Sequence, residues 1–344
     1  MRVCLVEFNT WHGECLAPQI AYLKACGDDV TLICPRRTLG AIAPDALDGV
    51  DYAECAVKKS LGNVWSVWRK IKKGRFDVVV LNTAQGSESL KLCLLDTFGR
   101  VPFVGTLHNI VKLRNSLGQR MISKRMSGYL TIAPYLLNRL QSVCCIPSGC
   151  FSPLSAEKCC ATDVSASEVK NSERIIVIPG NVEFKRRDYA ALVPMARCLL
   201  GARFVILGNA NKADGPRFRE MVANEELTDR FTFFDGFVEE SLFDDYMRKA
   251  DYLLPLIDKV LADDYLNHKT SGTFTLALRY GKTMLCDRAL EPLKDDYPCV
   301  FYDSIADMSK VVESGVMAQP KPLVFNDEAE RYCGFLRRIV ANGR

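Results

Sequence analysis

Histidine is scarce in this chain: three in 344 residues, at positions 12, 108 and 268. With so few, and with no Cys-x-x-Cys pair anywhere, no zinc-ligand spacing can be assembled. Also missing is any run of roughly 20 apolar residues, the length a membrane-spanning helix needs. Charge of one sign does not dominate either. The 45 basic residues face 41 acidic ones, a net of +4, which is too balanced to argue for a nucleic-acid partner. The opening MRVCLVEF is short and interrupted by Glu7, unlike a basic-then-apolar leader. No short-period repeat and no low-complexity tract occurs. These absences set the expectation of a cytoplasmic protein with no metal and no other cofactor.

Fifteen cysteines are present, an odd number. Without an export signal they read as reduced thiols acting as small buried apolar residues. Hydrophobic residues at 48% and charged residues at 25% exclude a disordered chain, and the length suits two domains better than one core. Apolar, β-branched runs alternate with helical patterns. RVCLVEF (2–8), DVTLICP (29–35), FDVVVLNT (76–83), VPFVGTLHN (101–109) and GYLTIAP (128–134) form a first strand series. RIIVIPGN (174–181), RFVILGNA (203–210), RFTFFDGFV (230–238), ADYLLPLID (250–258), TMLCD (283–287) and CVFYD (299–303) form a second. Near-continuous apolar strands are the mark of parallel sheets covered on both faces. Two such series predict two doubly wound α/β domains. Ser, Pro and Gly interrupt the pattern over 146–173, which reads as the link between domains. The expected division is 1–160, 161–325 and a C-terminal helix over 326–344 with Asn326 as its cap, free to pack back on the first domain.

In open α/β sheets, ligands gather beyond the carboxyl ends of the strands. All three histidines stand near the ends of predicted elements, beside Gly13 and Glu14, Thr106 and Asn109, and Lys269. Thr270, Ser271, Gly272 and Thr273 precede the helical run TFTLALRYG. Amides at such a helix start, with the dipole behind them, suit a phosphate, and Gly272 lets it approach closely. Lys185, Arg186 and Arg187 supply positive charge; an ordinary Ser/Thr cap and a solvated basic loop are the plain alternatives. Asp263–Asp264 reads as a solvated loop, and no carboxylate pair of the DxD kind closes a strand, so no metal is implied.

These segments resemble GT-B glycosyltransferases, and most closely the bacterial ones grouped as family four. The likeness spans most of the chain and is strongest over 174–290. VIPGNVEFKRRDYAALV is similar to that family's strand and basic turn, with Gly180 and Asn181 before the cations that hold a donor diphosphate. FVILGNAN carries the next glycine, Gly208, followed by Asn209. FTFFDGFVEESLFDDYMRKADYLLPL resembles the segment whose turn, here Gly236, Phe237 and Val238, contacts the nucleobase. SGTFTLALRYGKTMLC resembles the donor loop and its helix, and TLHN (106–109) the histidine segment facing the sugar. One departure stands out: the family's two donor-loop glutamates fall near His268 and Leu276, and neither position is acidic.

The resemblance implies a GT-B fold, two Rossmann-like domains with parallel sheets facing across a cleft. It implies a glycosyltransferase that moves a sugar from a UDP- or GDP-sugar, as substrate, to a glycan or lipid-linked acceptor in surface polysaccharide synthesis. Retention and metal independence follow by the same likeness. The resulting donor set is Gly13, Gly180, Asn181, Gly208, Asn209, Gly236, Phe237, Val238 and His268 to Thr273. Arg186 and Lys185, with Lys269, are assigned the leaving diphosphate, and His108 orients the sugar. In an inverting reaction His12 or Glu14 serves as base. LGNVWSVWRKIKKGRF (61–76) offers Trp65 and Trp68 beside Arg69, Lys70, Lys72 and Lys73 to a membrane surface, unless the aromatics simply pack inward. Two other readings remain: a nucleotide-sugar epimerase on the same scaffold, and a catalytically silent binding protein, which the missing glutamates favour.

Overall fold

The computed structural model describes residues 1–10, 12–57, 60–153, 173–321 and 323–343. Trp11, Cys159, Cys160, the expected boundary at 160/161 and most of the expected link lie outside the described residues. Two compact units form. One comprises Met1–Glu157, Asn267–Thr270 and Val324–Arg344; the other comprises Lys158–Leu266 and Ser271–Leu323.

The first unit is built on a parallel sheet. Its strands are β1 (Arg2–Val6), β2 (Asp29–Pro35), β3 (Asp51–Cys55), β4 (Val78–Leu81), β5 (Phe103–Thr106), β6 (Met126–Thr131) and β7 (Ser148–Cys150), in the order β3-β2-β1-β4-β5-β6-β7. The central strands are buried on both faces: every residue of Val78–Leu81 is covered. Helices Leu16–Ala25 and Phe325–Asn342 pack over one face, and helices Leu61–Gly74, Ser87–Leu95, Leu117–Arg125 and Pro134–Gln141 over the other. The second sheet contains β8 (Arg174–Pro179), β9 (Ala202–Asn209), β10 (Phe231–Phe234), β11 (Tyr252–Leu253), β12 (Thr283–Asp287) and β13 (Cys299–Tyr302), in the order β10-β9-β8-β11-β12-β13, again all parallel. Its core joins Phe204, Phe218 and Phe231 in edge and stacked contacts.

Several sequence expectations need correction. Strand β7 falls inside the expected link. Its small residues serve packing: a Cβ on Gly149 would sit 2.9 Å from the Phe335 ring, and one on Gly128 would sit 3.0 Å from it. Glycine at both places lets helix Phe325–Asn342 lie against the sheet. Asn326 is inside that helix, whose cap position is Val324. Asp263 and Asp264 belong to helix Lys259–Asn267 rather than to a loop.

Helix Leu61–Gly74 turns Val64, Val67 and Ile71 inward. Trp65 stays outside, 47% exposed, with the Arg69 guanidinium over its ring at 4.7 Å. Trp68 instead donates its indole N–H to Asp96 Oδ1 at 3.0 Å. That carboxylate also takes Lys72 Nζ at 2.7 Å and Arg125 Nη2 at 2.5 Å. One covered Asp96 thus pins three helices side by side. Among the described residues, no helix is long and apolar enough to cross a membrane.

Candidate functional site

Strand order reverses between β1 and β4 in the first sheet and between β8 and β11 in the second. The chain segments leaving these strands diverge to opposite sides, which opens a crevice at each reversal.

At the first reversal a buried polar network replaces apolar packing. The Glu7 carboxylate is 1% exposed. It accepts bonds from the Asn9 amide (2.7 Å), the Asn82 side chain (2.8 Å) and the Thr83 hydroxyl (2.6 Å). Asn82 also donates to the His12 carbonyl at 2.9 Å and accepts from Gln19 at 2.7 Å, and Gln19 accepts from Tyr332 at 2.9 Å. Glu7, Asn82 and Gln19 are thus tied together by mutual hydrogen bonds, which rigidifies the loop after β1. His12 adopts a left-handed backbone, φ 63°. Its ring stacks on that of His108 with centroids 3.6 Å apart and planes 9° from parallel, and its Nδ1 lies 3.4 Å from Glu14 Oε1.

His108 Nε2 lies 2.8 Å from the Asn82 carbonyl. A carbonyl only accepts, so Nε2 carries the hydrogen and Nδ1 carries the lone pair. That Nδ1 is buried and has no partner among the described residues. Burial first, and then the neighbouring His12, push the His108 pKa down from 6.5 to about 3. The ring is therefore neutral at pH 7, with an unused acceptor. The folded value lies below the free value, so the unfolded chain takes up the proton first as pH falls. The stability His108 contributes is complete above pH 6.5 and declines between there and about pH 3, at no more than about 1.4 kcal/mol per pH unit. Thermal unfolding of the native protein and His108→Asn from pH 7 to 4 checks this. Their difference should shrink as the solution is acidified, and a constant difference would contradict the assigned protonation state.

The second reversal holds a cation. Gly180 follows β8 with φ 103°, a conformation that favours glycine. A Cβ there would lie 3.7 Å from the Arg187 guanidinium. Arg187 donates Nη1 to the Pro179 carbonyl at 2.5 Å and Nη2 to Thr273 Oγ1 at 3.3 Å. Thr273 stands in the first turn of helix Gly272–Tyr280, whose cap Ser271 accepts the Thr273 amide at 3.3 Å. Thus Arg187, rather than Arg186, joins the basic turn to the helix start. Arg186 points outward, 56% exposed, toward Glu183 at 3.7 Å, and Lys185 is also exposed. Both Arg186 and Arg187 amides bond to the Glu183 carbonyl; this tight turn decides which side chain faces Thr273.

The other expected residues are distributed as follows. Gly208 presses against the Gly180 turn, since a Cβ on it would meet the Gly180 carbonyl oxygen at 2.3 Å; its smallness serves backbone approach. Asn209 accepts from the Asn211 amide at 2.9 Å, and the Asn181 carbonyl accepts from Tyr189 at 3.1 Å. Gly236 has open space around it, Phe237 is 83% exposed and Val238 is covered. Gly13 opens a short 3-10 turn and approaches Thr38. The expected donor loop is divided: Ser271, Gly272 and Thr273 belong to the second unit, while His268, Lys269 and Thr270 belong to the first. There the His268 carbonyl accepts the Ile110 amide at 2.8 Å, and the Lys269 carbonyl accepts Tyr135 at 3.1 Å. No group of His, Cys, Asp or Glu able to hold a metal ion occurs among the described residues. Sequence reasoning passed over Glu7, Gln19 and Asn82. For Asn82 the signal was available, because it follows β4 directly at the reversal.

No family model matches the chain, and no curated protein does. Solved structures do. HepE from Anabaena, in complex with UDP and glucose, superposes with a TM-score of 0.64 at 12% identity, over 99% of this chain and 95% of that one. The UDP-GlcNAc 2-epimerase of Neisseria meningitidis, bound to UDP-GlcNAc, gives 0.62 at 13%, over 98% and 100%. AviGT4, a glycosyltransferase involved in avilamycin A biosynthesis, gives 0.61 at 15%, over 99% and 98%. Identities this low speak for architecture alone: the chain is built of two doubly wound parallel-sheet domains of the GT-B type.

Proposed function

We propose that this chain acts on a nucleotide sugar and transfers the sugar to a glycan or lipid-linked acceptor. The observation that carries the proposal is the Arg187 guanidinium held beside Thr273 at a helix start, where positive charge, the helix dipole and the unhindered Gly272 favour a diphosphate. The hard step is cleavage of the bond between the anomeric carbon and the diphosphate. Arg187 stabilises the charge that develops on the departing oxygen, and being fixed beforehand it needs no reorganisation. In the first unit, His108 Nδ1 offers a neutral hydrogen-bond acceptor of its own. HepE and AviGT4 support this reading by architecture.

The epimerase reading has its own support in the Neisseria meningitidis enzyme, whose whole length superposes. In that case the same groups would hold the nucleotide sugar while its stereochemistry changes, without an acceptor. A panel of UDP- and GDP-sugars, each incubated with and without an acceptor glycan, separates the two. Acceptor-dependent release of nucleoside diphosphate is the expected result. An epimerised nucleotide sugar in the absence of acceptor would overturn transfer, and binding without turnover of any kind would overturn both.

A further inference from the structure

A cavity of about 180 Å³ lies beyond the carboxyl ends of β11, β12 and β13 in the second unit. It shares no lining residue with the Arg187–Thr273 site. Asp188, Asp258 and Asp287 line it. Each uses only Oδ1 to hold backbone amides, of Ala191, of Val260 and Leu261, and of Ala289 respectively. Each therefore keeps Oδ2 available, and no cation pairs with any of the three among the described residues. Asp303, at the rim, is already neutralised by Arg288 at 2.9 Å. Tyr302 also lines the cavity. It is 8% exposed, and its hydroxyl has no hydrogen-bond partner among the described residues. Burial first, and then Cys286 and the carboxylates of Asp287, Asp188 and Asp258, push its pKa up; the phenol therefore faces this negative field.

A phenol hydroxyl without a protein partner among the described residues and three half-used, half-buried carboxylates around one space suit a donor-rich, positive ligand. Helices Lys259–Asn267 and Ile305–Ser314 each begin here and each adds about half a positive charge. Three unpaired carboxylates outweigh them, so an anion is disfavoured. A bare metal ion fits poorly, because no three such ligands come close enough to share one among the described residues. Three carboxylates that do not form a metal-binding trio, on a common cavity with Met195 and Leu256 among its walls, suit more than one positive charge carried on an alkyl stem. At about 180 Å³, the space is ample for a short alkyl chain, since about 150 Å³ already admits a benzene-sized molecule. We propose that this cavity is a binding site for a short alkyl diammonium, with Asp188, Asp258 and Asp287 taking the ammonium groups and Tyr302 accepting one further hydrogen. The site is independent of the nucleotide-sugar reading.

Calorimetric titration of the full chain with 1,4-diaminobutane, in about 0.15 M salt to screen loose surface association, tests it. Saturable binding is expected, about tenfold weaker for n-butylamine and absent for 1-butanol. The double variant Asp258→Asn/Asp287→Asn keeps the Oδ1 atoms that hold the helix starts, so its fold is retained while its charge is lost. It should weaken diamine binding at least about tenfold, and Tyr302→Phe should weaken it independently. Diamine binding that is absent, or that neither variant changes, would overturn the proposal. So would equal affinity for n-butylamine, or Mg²⁺ binding in place of the diamine and lost in the same double variant.

Discussion

Arg187→Ala should lower turnover of the nucleotide sugar by about 10²- to 10³-fold, the usual loss when one preorganised stabiliser of developing charge is removed. Its guanidinium is fixed at two points, on the Pro179 carbonyl and on Thr273 Oγ1. Substrate therefore meets a charge already in place, and the effect should fall mainly on kcat. Arg187→Lys should recover only part of the rate, since an ammonium cannot span both contacts. Arg186→Ala should lose far less, because that side chain is exposed and directed at Glu183. Steady-state kinetics of the three variants decide the matter. If Arg186→Ala were the more damaging change, the diphosphate would not lie at the Gly180–Thr273 turn.

The second large effect concerns stability. Asp96→Ala should destabilise the first unit by about 3 kcal/mol, the cost of leaving the nearly covered Arg125 guanidinium without its counter-charge. The side chain is 1% exposed, and it holds Lys72, Arg125 and Trp68 at once. Burial alone would raise its pKa; Lys72 and Arg125 more than offset this and bring it below the ordinary 3.8. The sign follows from linkage. A lowered carboxyl value stabilises the fold at pH above 3.8, and that contribution is lost as pH falls through the folded-state value. Asp96→Asn, which keeps the shape and the acceptor, should lie between native and alanine. Urea unfolding at pH 7 measures both. A loss below about 1 kcal/mol for alanine would place the pair in the class of screened surface bridges.

The sheets are legible in the sequence because strands buried on both faces become unbroken apolar runs, as in Val78–Leu81 and Arg174–Pro179. Strand β3 is not, because it lies at an edge with Asp51, Tyr52 and Glu54 exposed, and its pattern resembles a polar loop. Strand β7 hides for the opposite reason: its Ser and Gly serve a close helix and look like linker composition. At the candidate site, position along the chain marks His12 and His108 as strand-end residues. It does not show that their rings stack, since that depends on the left-handed turn at His12. Three consecutive cations at Lys185 to Arg187 announce a basic turn. Which of them faces the helix start is settled by backbone bonds to Glu183, a geometric fact with no trace in composition.

Helix Phe325–Asn342 completes the first unit, and through Tyr332 it completes the polar chain that ends at His108. During synthesis this helix leaves the ribosome after the whole of the second unit. Until then Leu5, Leu16 and Leu130 lack part of their cover, and Gln19 lacks its phenol. The first unit's core therefore closes only when helix Phe325–Asn342 has been made. Chaperone dependence and sensitivity to late truncation are the natural costs of that order of assembly.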